Sequence, residues 1–140
     1  MSPDAIVLPA FALVALTFVS WIRLYRERIG EVRRRRIQPQ RLATRREAAE
    51  VLQDTRASDH FRNLFEVPVL FYALCALLAA TDAVTPLLVG LAWLFVGLRV
   101  LQAGVHLTYN RVLHRFTVYV AGTAVVFLMW VIFAFQSLAA

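Results

Sequence analysis

The chain has 140 residues, 60% of them hydrophobic and 17% charged, with a formal net charge of +6. An ordinary soluble domain is about half apolar. A mean hydropathy of +0.63 excludes that class and excludes disorder, and a single cysteine excludes a disulfide scaffold.

The apolar residues fall in four blocks, and a membrane span needs about 20 in one run. The first block is Ala5 to Ile22, interrupted only by Thr17 and Ser20. No basic segment precedes it and its one early charge is Asp4, so it is expected to be an uncleaved first helix. Trp21 and Tyr25 suit an interfacial aromatic belt. The sequence LYRERIGEVRRRR can continue this helix past the bilayer, weakened at Gly30 by about 1 kcal/mol relative to Ala. Pro39 is the firmest break that follows. From Thr44 a Thr44/Glu47 capping box opens a helix that nothing in the sequence breaks before Pro68.

The second block, Val67 to Ala80, reaches spanning length through Phe61, and the third, Ala83 to Leu98, through about His106. The last, Phe116 to Phe135, carries no charge. The expected fold is an all-α membrane protein, a four-transmembrane-helix bundle forming one domain over 1–140. Its helices are expected at about 4–26, 59–80, 84–107 and 115–137, around a basic loop at about 27–58.

All fifteen basic residues are Arg, and twelve lie between Arg23 and Arg62, against six acids. The turn Thr81 to Pro86 carries Asp82 and no base, whereas Asn110 to Arg115 carries Arg111, His114 and Arg115. Positive loops stay in the cytoplasm, so both termini are expected on the non-cytoplasmic side. The run Arg33 to Arg36 fixes this topology and meets anionic lipid head groups at about 1 kcal/mol per residue. A pI near 10.7 also suits nucleic acid, but no recognition motif or stacking platform accompanies the arginines, and no nucleic-acid partner is expected.

A charge near the centre of a span costs at least about 2.5 kcal/mol, so Glu66 and Arg99 require a reason. Glu66 lies about 10 Å along its helix from Asp59, and Arg99 about 12 Å from Leu107, so the two share a depth. An ion pair between them, within a protomer or across an interface, would offset both burial costs. Asp59, Asn63 and Glu66 follow a spacing of four and three; Arg99, Gln102, His106 and Tyr109 follow three, four and three. Each set forms one polar stripe. Together they predict a cleft open to the cytoplasm, with Arg111 and Arg115 at its mouth and apolar walls deeper in. Such a cleft suits an amphiphile, or an anionic small molecule beside a lipophilic one. His60, His106 and His114 form no HxxH pair and no carboxylate cluster joins them, so no metal or haem is expected. Cys75, alone in an apolar helix, is read as a small core residue.

Two segments carry a family likeness. RASDHFRNLFEVPVLFYAL, with Asn63 and Glu66 before Pro68, and RVLQAGVHLTYNRVLHRF, opened by Arg99, resemble the MAPEG family, the membrane-associated proteins in eicosanoid and glutathione metabolism. The likeness extends over essentially the whole chain and is strongest to the bacterial branch. It implies a homotrimer of left-handed four-helix protomers in the bacterial inner membrane, with cytoplasm-facing sites between protomers. There glutathione would serve as co-substrate, for transfer to a lipophilic electrophile or for peroxidase chemistry on a lipid hydroperoxide. Asn63 and Glu66 match the family's helix-two motif, and Arg99 matches the Arg that opens its helix-three motif. With Gln102, His106, Tyr109 and Arg115 they make up the expected ligand-binding set. Arg111 resembles the Arg that stabilises the thiolate, a catalytic role, since a nearby cation lowers a thiol pKa from about 8.5.

Three positions depart from the glutathione-using members. Asp59 stands where they usually have Arg, Val67 where they tend to have a polar or aromatic donor, and His106 where a Tyr is common. These suit a second reading, a non-catalytic membrane assembly or lipid-binding protein whose buried polar residues are structural.

Overall fold

The computed structural model describes residues 2–44, 46, 48, 56–107 and 111–139, without the side chains of Pro39, Arg41, Arg56, Ala57, His60, His106, Leu107 and Val112. A 3₁₀ turn at Pro3–Ile6 leads into α1 (Val7–Arg35), and a second 3₁₀ turn lies at Pro39–Leu42. Then come α2 (Arg56–Asn63), α3 (Val67–Ala80), α4 (Pro86–Leu107) and α5 (Val112–Ala139). Among the described residues, four stretches are long and apolar enough to cross a membrane: Pro3–Arg35, Phe61–Ala80, Pro86–Val105 and Leu113–Ala139.

The 29 residues of α1 extend about 43 Å, well beyond the roughly 30 Å hydrocarbon core. Gly30 does not interrupt the helix. It ends where Arg36 turns left-handed, at φ 50°, and donates its N–H to the carbonyl of Val32. Arg33, Arg34 and Arg35 lie in the last turn, where positive charge meets the negative end of the helix dipole.

The second span is not one continuous helix. α2 stops at Asn63, the N–H groups of Leu64 and Phe65 close tight turns on Phe61 (3.2 Å) and Arg62 (2.9 Å), and Glu66 adopts φ −96°, ψ −100° before α3 begins. Pro68 accounts for the break. It has no N–H to offer the carbonyl of Leu64, and its ring would collide with that group in a through-going helix. At the start of α3 the same residue is well tolerated, because the N–H it lacks would be unpaired there in any case. Glu47, half of the expected capping box, lies outside the described residues.

The core is built where the four spans meet. Ile6 and Leu13 pack with Phe71, Leu74 and Leu78 of α3, Leu88 and Phe95 of α4, and Val126 and Met129 of α5. The Phe71 and Phe95 rings lie 4.8 Å apart. The indole N–H of Trp130 on α5 donates to the carbonyl of Leu70 on α3 at 3.3 Å. α4 and α5 make the most extensive helix–helix contact. The outer surface is also apolar: Phe11, Phe18, Phe116, Phe127 and Phe135 are 62–69% exposed. Water does not tolerate so much contiguous hydrocarbon, and lipid does.

Candidate functional site

Arg99 sits on the packed face of α4, with Phe95 one turn before it and Gln102 one turn after. It is 1% exposed, the largest fully buried side chain described. Its Nη1 donates to Gln102 Oε1 at 2.7 Å, and its Cζ lies 5.0 Å from the centroid of the Phe95 ring and 5.3 Å from that of Tyr119. Desolvated cation–π contacts of this kind are worth up to about 2 kcal/mol each. Arg99 Nε and Nη2, and Gln102 Nε2, have no hydrogen-bond partner. Leaving a buried donor unmet costs about 1–3 kcal/mol, and more when it is charged. The site therefore holds three buried donor atoms on two neighbouring side chains and supplies them no acceptor.

α5 lies against this cluster at Gly122, where a Cβ would meet Phe95 Cε2 at 3.5 Å and Arg99 Nε at 3.9 Å, ordinary van der Waals contact that an alanine could make.

Glu66 approaches the site from the break between α2 and α3. Its Oε2 accepts a hydrogen bond from the Tyr119 hydroxyl at 3.2 Å. Among the described residues of the single chain no ion pair joins Glu66 directly to Arg99, so the first of the two expected arrangements, a pair within a protomer, is not formed. Tyr119 links them instead, its ring against the guanidinium and its hydroxyl on the carboxylate, and the two charges interact across it. The physical reason lies in the backbone: the break leaves Glu66 exposed at the rim, while the intact α4 carries Arg99 inward. Sequence reasoning missed Tyr119. The signal was present, since Arg115, Tyr119, Gly122 and Val126 recur at four, three and four along α5 and so share a face.

The other candidates are dispersed. Gln102 belongs to the cluster. Asn63, half-buried, closes α2 on the far side of the break from Glu66, so the Asp59–Asn63–Glu66 stripe does not continue along one straight helix. Asp59 is half-buried and has a partner of its own. Arg111 is exposed just before α5, and Arg115, half-buried, donates its backbone N–H to the Arg111 carbonyl at 3.0 Å. About 12 Å of helical rise separates Arg111 from Tyr119. Tyr109 and the side chain of His106 lie outside the described residues. Among the described residues no three His, Cys, Asp or Glu come together as a metal site.

A cleft of about 530 Å³ lies against α1, between Val14, Thr17, Phe18 and Trp21 on one side and the α2–α3 junction on the other. Its far wall includes Phe61, Leu64, Val69 and Tyr72. It contains none of the sequence-predicted site residues.

The MAPEG family profile matches residues 6–135. No curated protein and no solved structure matches the chain significantly.

Proposed function

The chain belongs to the MAPEG family, and from that premise we propose that its Arg99 cluster binds an anionic or amphiphilic small molecule, glutathione above all. The bound thiol is used on a lipophilic electrophile or a lipid hydroperoxide. The observation that carries this reading is the buried guanidinium whose Nε and Nη2, together with Gln102 Nε2, lack an acceptor. A carboxylate offers two coplanar oxygens and satisfies two such donors at once. Away from water that interaction is strengthened rather than screened.

Glu66, exposed at the rim, offers a counter-charge to an ammonium group on the same ligand. A tripeptide reaches about 10 Å, which accounts for most of the rise between the Arg99 level and Arg111. One end is anchored at Arg99 while the thiol lies nearer Arg111, whose charge stabilises the thiolate. The thiolate then forms the new C–S bond as the electrophile's leaving group departs or its conjugated double bond takes up the electron pair and a proton. With a hydroperoxide it attacks the terminal oxygen, the O–O bond breaks, the alcohol leaves, and a second glutathione converts the resulting sulfenic acid to disulfide and water. In this reading Asn63, His106, Tyr109 and Arg115 line the cytoplasmic approach. The protein is a homotrimer of the bacterial inner membrane with both termini on the non-cytoplasmic side, and a neighbouring protomer covers the exposed edge at Glu66.

Calorimetric titration of glutathione into detergent-purified protein tests the proposal. Saturable binding at millimolar concentration or below is expected, weakened at least tenfold in Arg99→Ala. A flat titration would remove glutathione from the reading and leave the family membership standing.

One observation favours a second reading. Phe95, Tyr119 and Gln102 already hold the guanidinium on three sides, as they would if it were assembly glue in a non-catalytic membrane protein.

A further inference from the structure

We propose that the cleft between α1 and the α2–α3 junction binds one acyl chain of an anionic phospholipid, with the phosphate held by Arg28 and Arg62. This site is separate from the Arg99 cluster and does not depend on its role.

The cleft has the shape and polarity for a lipid tail. Its volume of about 530 Å³ lies within the range of roughly 300–1,000 Å³ typical of small-molecule sites. Few polar side chains line it, and of their hydroxyls that of Thr17 already donates to the Leu13 carbonyl at 2.9 Å. Phe18, Phe65 and Val69 are exposed along its open side, so a chain can enter laterally from the bilayer.

One end of the cleft is built for a head group. Trp21 packs on Tyr25 with ring centroids 4.8 Å apart, an interfacial aromatic pair. Further along α1, Arg28 Nη2 donates to Ser58 Oγ at 3.1 Å and closes the gap between α1 and α2. Arg62 lies one turn after Ser58 on the same side of α2, next to Phe61 of the cleft wall, and is exposed. Val14 to Arg28 spans 14 residues of α1, about 21 Å. That equals one leaflet with its head groups, half of a bilayer of about 40–45 Å.

Charge selects the head group. The carboxylates near this end are engaged elsewhere, Glu27 with Arg23 at 2.8 Å and Glu31 with Arg35 at 3.0 Å, and Asp59 has its own partner. The bond described for Arg28 goes to a neutral hydroxyl. Arg28, bonded to Ser58, and Arg62, one helical turn after Ser58, put two guanidinium groups at this end of the cleft, and a phosphate can accept from both. The trimethylammonium of a zwitterionic lipid would meet the same cations unfavourably.

The test is native mass spectrometry of the full chain, purified in detergent and offered equal phosphatidylglycerol and phosphatidylcholine with the same acyl chains. Wild type is expected to retain the anionic lipid at least tenfold over the zwitterionic one. The Arg28→Ala/Arg62→Ala double variant should fall to within twofold, while the Arg28→Lys/Arg62→Lys variant keeps the preference. Val69→Trp, which fills the cleft without touching the cations, should lower retention of both lipids at least fivefold. Equal retention by wild type, an undiminished preference in the double Ala variant, unchanged retention in Val69→Trp, or capture of free oleate ahead of phospholipid would each overturn the proposal. If the double Ala variant fails to fold, the Lys and Trp variants still decide it.

Discussion

At Arg99 the two readings of the site make opposite demands on one side chain. Replacing a buried charge by a hydrophobic group of similar length is often neutral or stabilising, because the desolvation cost disappears with the charge. Under the binding reading, Arg99→Met should therefore unfold within about 1 kcal/mol of wild type, or above it, while losing glutathione. If the residue is structural, the lost ring contacts and the stranded Gln102 should together cost about 2–4 kcal/mol. Chemical unfolding in detergent, run beside the titration, separates the two. Glu66→Gln supplies the control: the amide oxygen still accepts from Tyr119, and an exposed carboxylate contributes little, so stability should move by no more than about 0.5 kcal/mol. Arg99 and Glu66 were legible as anomalies because a charge in a span is costly whatever its neighbours. Their relation was not legible, because the residue that joins them is 20 positions from Arg99 on another helix.

The decisive element is the junction of α2 and α3. A period of 3.6 carried through Pro68 places Asp59, Asn63 and Glu66 on one face, but the missing N–H makes that extrapolation fail at Leu64. The same break leaves Glu66 at the rim within reach of Tyr119. Pro68→Ala should join the two helices. Amide exchange over residues 64–68 is then expected to slow, and the coupling between Glu66 and Tyr119, about 1 kcal/mol by double-mutant cycle, to fall to nearly zero. Unchanged exchange would mean that packing of Leu64 and Phe71, and not Pro68, dictates the break. α1 shows the converse case, in which propensity decided the outcome: one Gly costs too little to stop a helix of this length.

For the whole molecule the first-order fact is an apolar exterior around an apolar core, which fixes lipid as the solvent on both energetic and compositional grounds. The proposed orientation, with both termini on the non-cytoplasmic side, rests on where the arginines lie. Single Cys residues at Ser2 or Asp82 should react with an impermeant maleimide in intact cells, whereas one at Arg34 should react only after permeabilisation. Native Cys75 is buried and should add no background. Labelling of Arg34→Cys from outside would invert the topology and put the mouth of the proposed site on the other side of the membrane.

Composition, block length and charge asymmetry together determined the class: four helices able to span a membrane, with a basic stretch between the first and second. Those properties are local or additive, and a membrane leaves few ways to satisfy them. The family likeness was also legible, because it rests on short motifs. Three-dimensional packing alone decided that Tyr119 links Glu66 to Arg99, that α5 lies against Phe95 and Arg99 at Gly122, and that a cleft opens against α1. Each of these depends on which helix faces which, and that is set by contacts between residues far apart in sequence, on which hydrophobic period is silent.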